Sequence, residues 1–232
     1  MSTVKVSKKG WVVIPRDIRE RYGIRPGDRI HVVDYAGRIA IIPALKNPIR
    51  QGRGLLKGYP SLTEALLEER RLELEREERK IRRGRKPSRP HKVMLDRFVL
   101  DSFALMALLQ DEPGASQVQR LLQRAARGEC ELFMTVLNLG EVLYTVESRR
   151  GLQASQEMLA AIDQFPIEIV EVDRPMALSA ARLKAAAGVG YADCFVGALA
   201  QHLGGTIVTG DPDFHRIEDV VSVQWLSSAG FE

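Results

Sequence analysis

Apolar and polar residues alternate through the first forty residues, whereas longer apolar runs dominate the second half of the chain. The alternation predicts four short strands at residues 3–7, 11–14, 29–35 and 38–42, with a two-turn helix over residues 16–22. Turns are predicted at Lys8-Lys9-Gly10, Pro26-Gly27-Asp28 and Ala36-Gly37. Because so small a β-rich unit buries little core alone, we expect it to dimerise.

From residue 98 onward, strand-length apolar runs alternate with helical stripes. After the run at 98–100, strands are predicted at 131–135, 167–172, 206–209 and 221–225. Helices are predicted after residue 101 and at 114–127, 139–146, 151–165, 175–187 and 193–203. This order predicts a parallel sheet with helices on both faces, an α/β fold.

The connecting segment has a different composition. Residues 47–60 are rich in Gly, Pro and basic residues and are predicted to be a linker. Ser61-Leu62-Thr63-Glu64 is a capping-box signature, which predicts a helix that extends to about residue 83 with Leu62, Ala65 and Leu66 on one side. A basic tether follows at 82–90. We therefore predict domains at 1–48 and 94–232, joined by residues 49–93.

Charge is distributed unevenly between the two parts of the chain. Residues 1–93 hold 24 Lys/Arg and 11 Asp/Glu, a net charge of +13, whereas residues 94–232 hold 10 and 19, a net charge of −9. The basic part suggests contact with nucleic acid, and the two parts should attract each other. Cys130 and Cys194 are predicted to be reduced core residues. Without an amino-terminal signal or an apolar run of 18 residues, we expect a cytoplasmic protein with no membrane partner.

Four acidic residues, Asp101, Glu141, Asp193 and Asp211, stand at or near strand-to-helix turns of the predicted sheet. Because such turns share one edge in a right-handed parallel sheet, their carboxylates are expected to converge. Helix capping, turn formation and, for Glu141, simple solvation are the alternatives. Clustered carboxylates without His or Cys suit Mg²⁺ or Mn²⁺, which would activate a water for phosphodiester cleavage.

The motifs around these carboxylates resemble the PIN domain of VapC-type toxins over residues 95 to about 226. The matching segments are Phe98-Val99-Leu100-Asp101-Ser102, Thr135 with Asn138-Leu139-Gly140-Glu141, Tyr191-Ala192-Asp193-Cys194-Phe195-Val196-Gly197-Ala198-Leu199-Ala200, and Val208-Thr209-Gly210-Asp211-Pro212-Asp213-Phe214. The resemblance implies a metal-dependent endoribonuclease of flavodoxin-like topology. Its metal would lie on the four acidic residues, with Ser102, Asn138 and Thr209 as supporting groups; we assign Asp213 a turn or supporting role.

The amino-terminal segments Val4-Lys5-Val6-Ser7-Lys8-Lys9-Gly10, Val13-Ile14-Pro15-Arg16, Ile18-Arg19 and Gly27-Asp28 resemble the AbrB/MazE/VapB swapped-hairpin antitoxin domain, from residue 1 to about 48. The resemblance implies an intertwined dimer that binds operator DNA. Trp11 departs from the small or polar residue usual at its position. The candidate phosphate-contacting residues are Lys5, Lys8, Lys9, Arg16, Arg19 and Arg21. The alternative is a solvated basic face.

We therefore predict a fused toxin–antitoxin protein: an AbrB-like DNA-binding domain, a connecting helix that restrains the nuclease, and a PIN-like ribonuclease domain. The resemblance implies that an arginine of the connecting segment contacts the acidic site. We place this role on Arg82, Arg83 or Arg85, with alternatives at Arg70, Arg71, Arg76 and Arg79. Two competing hypotheses are a non-enzymatic transcriptional repressor and an RNA-processing enzyme tethered to DNA.

Overall fold

The structure is a computed structural model that describes residues 4–35, 37–58, 60–78 and 96–226. The amino-terminal part contains α1 (Arg16–Arg21), the antiparallel hairpin β1 (Ile30–Tyr35) and β2 (Arg38–Pro43), α2 (Pro48–Gly52) and α3 (Leu62–Glu78). The rest consists of β3 (Asp96–Leu100), α4 (Ser102–Gln110), α5 (Ala115–Ala126), β4 (Cys130–Thr135), α6 (Val136–Ile162), β5 (Glu168–Val170), α7 (Arg174–Ala187), α8 (Tyr191–Leu203), β6 (Thr206–Thr209), a 3₁₀ helix (Pro212–Arg216) and β7 (Ser222–Trp225).

The second half forms a five-stranded parallel sheet in the order β5-β4-β3-β6-β7, which confirms the predicted α/β architecture. One apolar cluster joins α4, α5 and α6 to one face of the sheet, and a second joins α7 and α8 to the other face. Because both faces are covered, Val99 and Leu100 in the middle strand are fully buried. Cys130 and Cys194 are free and buried, as predicted.

The two helices predicted at 139–146 and 151–165 are the two parts of α6, which is interrupted at Gly151. That residue has φ 81° and ψ 171°, a backbone conformation outside the helical region. A positive φ costs glycine little, because it has no Cβ to collide with the carbonyl oxygen. The interruption lets Ser155 and Met158 be buried while the first part of α6 packs on α4.

The strands predicted at 3–7 and 11–14 are not strands in the described part of the chain. The turn between them does form, with a hydrogen bond of 2.9 Å from the Ser7 amide to the Trp11 carbonyl and Gly10 at φ 80°. A strand needs a neighbour to receive its backbone hydrogen bonds, and β1 and β2 pair only with each other. The apolar side chains of Val6 and Val13 are consequently exposed.

The segment predicted as a linker is packed against the second half of the chain. The Gly54 and Leu56 amides donate to the Leu108 and Leu109 carbonyls at 2.9 and 2.7 Å, and the Leu56 side chain is buried. Asp111, at the end of α4, accepts hydrogen bonds of 2.6 Å from Arg53 and from Lys57. The linker prediction also missed the short helix α2 at the start of this segment. Glycine and basic residues indicate a connection from composition, but they do not reveal whether it finds a docking partner. We call residues 53–58 the strap.

Among the described residues, no single helix is both long and apolar enough to cross a membrane. The helices α7 and α8 meet that requirement only as a pair bent by 116°, and α8 is buried in the second apolar cluster. A cavity of about 450 Å³ lies between β2 and α6, lined among others by Ile42, Leu45 and Gln164. None of the four predicted carboxylates is among the residues that line this cavity.

Candidate active site

The fold brings the four predicted carboxylates together at the carboxyl edge of the sheet. Asp101 directly follows β3, Asp211 follows β6, Glu141 lies in α6 behind β4, and Asp193 lies in the first turn of α8. All four are buried, with exposed fractions from 0% for Asp101 to 9% for Glu141. The solvated Glu141 considered above is therefore not what the structure shows.

Asp101 and Asp211 each divide their two carboxylate oxygens between two roles. Oδ1 of Asp101 accepts a hydrogen bond of 2.8 Å from the Ala104 amide and caps α4, while Oδ1 of Asp211 accepts one of 2.9 Å from the Asp213 amide. In both residues Oδ2 is the oxygen that faces the cluster. Capping and membership of the site are therefore compatible at these positions.

Three of the predicted supporting residues hold these carboxylates in place. The Thr209 hydroxyl donates to Asp101 Oδ2 at 2.8 Å and accepts from the Asp211 amide at 2.9 Å. The Ser102 hydroxyl donates to Glu141 Oε2 at 2.5 Å and accepts from Asn138 Nδ2 at 3.3 Å. Asp213 instead lies at the rim, where its Oδ1 is 3.8 Å from Arg216 Nε.

The guanidinium of Arg70, on α3, lies in the middle of the cluster. Its Nε and Nη2 donate to the two oxygens of Glu141 at 3.1 and 2.7 Å, a bidentate contact. Its Nη1 lies 2.5 Å from Asp211, 2.8 Å from Asp193 and 3.7 Å from the Asp101 carboxylate. Because its side chain is only 4% exposed, Arg70 is buried with its four acidic partners.

A single guanidinium faces four buried acidic side chains in the cluster. Burial raises the pKa of the Asp101 carboxyl to about 7, although the Arg70 charge acts in the opposite direction. Burial likewise raises the pKa of Asp193 well above its ordinary value. Burial opposes the charge of Arg70, but the carboxylates of Asp193 and Glu141 outweigh it and raise the pKa of Arg70. Additional positive charge at this edge would stabilise the ionised carboxylates.

The chemistry of the cluster suits a divalent cation. Its donors are carboxylate oxygens, which Mg²⁺ and Mn²⁺ prefer, and the Asp193 oxygens form no hydrogen bond with the described residues. In the arrangement with Arg70 between them, no three His, Cys, Asp or Glu side chains of the described residues are grouped to hold an ion. The guanidinium of Arg70 fills the space between these carboxylates.

Arg70 reaches the cluster because α3 is anchored by two buried leucines that lie one and two helical turns before Arg70. Leu62 and Leu66 are 2% and 0% exposed and belong to the apolar cluster of α4 and α6. The Gln110 side chain accepts a hydrogen bond from the Leu62 amide, and the Ser61 hydroxyl accepts one of 3.1 Å from the Glu64 amide, as the capping signature predicted. Beside Arg70, Glu69 accepts a hydrogen bond of 2.9 Å from the Tyr144 hydroxyl.

Arg70 is one of the alternatives that the sequence offered, not one of the three preferred arginines. Arg82, Arg83 and Arg85 lie outside the described residues. The signal for Arg70 was the spacing of Leu62 and Leu66, since the same helix face reaches residue 70 four positions later. Local density of positive charge favoured residues 82–85 but carries no information about which helix face is docked.

The candidate DNA-contacting residues surround the turn at residues 7–10 and the helix α1. The side chains of Lys5, Lys8, Lys9 and Arg16 are exposed, whereas Arg19 is half-buried and donates to the Ile14 carbonyl at 3.2 Å. The Lys9 ammonium lies 5.7 Å from the centre of the Trp11 ring, within the range of a cation–π contact.

Comparisons with known proteins agree with both halves of this architecture. The family model of the PIN domain matches residues 98–220, and the model described as antidote-toxin recognition MazE, bacterial antitoxin, matches residues 3–49. A ribonuclease VapC from Mycolicibacterium smegmatis is 32% identical over 134 residues, which cover 54% of this chain and 99% of that protein.

Among solved structures, the chain is similar to VapBC2 from Rickettsia felis bound to a promoter DNA fragment, with 16% identity and a TM-score of 0.46 over 55% of this chain and 97% of that one. It is also similar to DNA-bound VapBC from Salmonella typhimurium, with 20% identity and a TM-score of 0.45 over 57% and 99%. The PIN model covers more than half of this sequence. The chain therefore belongs to the PIN-domain family and carries a MazE-type antitoxin domain ahead of its VapC-like PIN domain.

Proposed function

We propose that this protein is a metal-dependent endoribonuclease that is inhibited by its own antitoxin segment through Arg70, with an amino-terminal domain that binds operator DNA as a dimer. One observation carries the proposal: four buried carboxylates converge at the carboxyl edge of a PIN sheet, with a guanidinium among them. Such an edge is where open α/β sheets bind their ligands.

In the active state, Asp101, Glu141, Asp193 and Asp211 would hold Mg²⁺ or Mn²⁺ in the place of Arg70. A bound divalent cation supplies an activated water and stabilises the leaving oxygen of a phosphodiester. The chain contributes orientation: Thr209 fixes the Asp101 and Asp211 carboxylates, and Ser102 fixes Glu141. Because these partners are themselves buried, the carboxylates are positioned before substrate arrives.

Inhibition follows from competition between charges. Arg70 partly neutralises the carboxylates, and its planar guanidinium fills the space that they would share with a cation. Withdrawing it exposes four buried acidic groups whose mutual repulsion a divalent cation relieves more fully than a single positive charge does. Metal binding and Arg70 docking should therefore exclude each other.

The test compares Arg70→Ala with Arg71→Ala in the full-length chain. Arg71 is the matched control, because it lies on the same helix and pairs locally with Glu68 at 2.7 Å. We expect Arg70→Ala to cleave single-stranded RNA when Mg²⁺ or Mn²⁺ is present and to stop in excess chelator, while Arg71→Ala behaves as the wild type. An Arg70→Ala protein that is folded and metal-loaded but inert would contradict the proposal.

Two observations support DNA binding by a dimer. Val32 and Ile39 on the hairpin are 66% and 74% exposed, and the segments predicted as strands at 3–7 and 11–14 pair with no strand among the described residues. A second copy would cover apolar surface there and supply backbone partners. The basic residues around the turn and α1 would then be presented twice, as on a two-fold symmetric operator.

DNA binding should weaken steeply as salt rises, because counterions return to the phosphates. We expect Lys9→Ala or Arg16→Ala to reduce affinity by about 1–3 kcal/mol if the side chain contacts a base edge, and by less if it contacts only phosphate. Arg120→Ala, at an exposed position of α5, is the control. Electrophoretic mobility shift with operator DNA measures the effect. Equal affinity of all three variants would exclude the basic residues around the turn and α1 as the DNA-binding surface.

A further inference from the structure

An aromatic pair lies beside the active site and takes no part in the chemistry proposed above. The rings of His215 and Trp225 stack with their centres 4.0 Å apart and their planes at 29°. Trp225, at the end of β7, is half-buried and packs against the apolar cluster of α7 and α8. The His215 side chain is 60% exposed, and its Nδ1 lies 2.9 Å from Glu218 Oε2, which fixes the ring plane.

The strand register places this pair close to the carboxylates. Trp225 is paired with Thr209 across β6 and β7, and neighbouring strands lie about 4.8 Å apart. The Thr209 hydroxyl in turn contacts Asp101, and His215 lies in the 3₁₀ helix that begins directly after Asp211. The pair is therefore at the same edge of the sheet, one strand beyond the candidate active site.

The antitoxin helix covers a different side of this edge. Leu62 and Leu66 of α3 belong to the apolar cluster of α4 and α6, whereas Trp225 belongs to the cluster on the opposite face of the sheet. The next residue of the 3₁₀ helix, Arg216, is 41% exposed and donates to the Gly188 carbonyl at 3.4 Å in the loop before α8. Consecutive residues of the 3₁₀ helix thus supply an exposed aromatic ring and a cation.

We propose that His215, supported from below by Trp225, is a stacking platform for a base of the single-stranded RNA next to the cleaved phosphate. This inference rests on the proposed ribonuclease activity. Unpaired bases stack on aromatic side chains, and each such contact tolerates many sequences because every base has a π-face. A base on the side of His215 away from Trp225 would extend this stack, and Arg216, the next residue, would contact the adjoining backbone phosphate.

The experiment uses the full-length chain with two substitutions. Arg70→Ala opens the site, and Trp11→Phe removes one of the two tryptophans in the sequence, so that the fluorescence comes from Trp225. A single-stranded RNA of mixed sequence is added in chelator, so that binding is measured without cleavage. We expect the RNA to quench Trp225 fluorescence and the same sequence as a duplex to quench it far less.

Adding His215→Ala should raise the dissociation constant, and KM with metal present, by about 5- to 150-fold with little change in kcat. His215→Phe should restore both, because a flat ring is retained, while Glu218→Gln should have a small effect. Melting temperatures of all variants exclude a general loss of folding. The stacking platform is overturned, and the proposed ribonuclease activity is left intact, by either of two results. One is RNA that binds and is cleaved without quenching Trp225 fluorescence; the other is a His215→Phe variant whose dissociation constant and KM are no lower than those of His215→Ala. Absence of both RNA binding and RNA cleavage overturns the stacking platform and the proposed ribonuclease activity together.

Discussion

Asp193 differs from the other three acidic residues in the balance of its contacts. Asp101, Glu141 and Asp211 each accept hydrogen bonds from neighbouring hydroxyl or amide groups, whereas neither oxygen of Asp193 does so among the described residues. Its Oδ1 lies 2.8 Å from Arg70 Nη1, so the Arg70 charge provides its nearest compensation. A buried carboxylate without hydrogen bonds is costly to ionise, which the raised pKa of Asp193 reflects.

Replacing Asp193 should therefore separate activity from stability. In the Arg70→Ala chain, Asp193→Asn should abolish RNA cleavage and the rise in melting temperature caused by Mn²⁺. Without metal, its melting temperature should be equal to or above that of the parent, since a buried group that is costly to ionise is replaced by a neutral one. Thermal unfolding by circular dichroism and cleavage of a labelled RNA measure the two effects. Asp96→Asn, at an exposed ion pair of 3.0 Å with Arg124, is the control. Full cleavage by Asp193→Asn would remove this residue from the site.

At the scale of elements, patterns that depend on local order could be predicted and contacts between elements could not. The alternation of strands and helices from residue 98 follows from burial on both faces of the sheet, and the position of the carboxylates follows from that topology. The strands at 3–7 and 11–14 require a partner that the described chain does not provide. The docking of the strap has no signature in local sequence, whereas the spacing of Leu62 and Leu66 indicates the face of α3 that carries Arg70 without showing what that face packs against.

The anchoring of α3 gives a prediction for its apolar side. Leu66→Ala removes a fully buried side chain and should reduce the free energy of unfolding by about 2–5 kcal/mol. Because α3 is held less tightly, the full-length chain should cleave RNA faster than the wild type but more slowly than Arg70→Ala. Urea denaturation and RNA cleavage with Mg²⁺ provide the measurements. Glu64→Ala, exposed on the same helix, should change neither. Lost stability with unchanged cleavage would show that α3 does not restrain the nuclease.

The strap gives a prediction for pH. Hydrogen bonds from Lys57 and Arg53 lower the pKa of Asp111 below its ordinary value of 3.8. A lowered pKa stabilises the folded chain above pH 3.8, and this contribution is lost as pH falls through the folded-state pKa. Asp111→Asn should therefore reduce the free energy of unfolding by about 1 kcal/mol at pH 7, and the difference should disappear in acid. Asparagine tolerates the left-handed conformation of Asp111, at φ 57°, so that the backbone is preserved. A difference independent of pH would exclude the ion pairs as its cause.

At the scale of the whole molecule, the opposite charges of the two halves meet in two places. A net charge of +13 before residue 94 and of −9 after it predicted attraction, and the structure shows where it becomes specific, at Asp111 and at the carboxylates around Arg70. Covalent connection makes this contact intramolecular. A tethered group has an effective concentration of the order of millimolar, set by the linker rather than by the amount of protein. Inhibition should then require no second chain.

Dilution should therefore not activate the nuclease. The full-length chain should remain equally inactive per molecule from micromolar to nanomolar concentration, because Arg70 reaches the carboxylates of its own chain. Ile39→Asp, which places a charge on the exposed apolar face of the hairpin, should abolish dimerisation and operator binding and yet leave RNA cleavage inhibited. Sedimentation velocity gives the oligomeric state, and cleavage of a labelled RNA with Mg²⁺ gives the activity at each concentration. Arg120→Ala is the control for a surface change outside the hairpin. Activity that appears on dilution, or in the Ile39→Asp monomer, would show instead that the inhibiting arginine comes from the partner subunit.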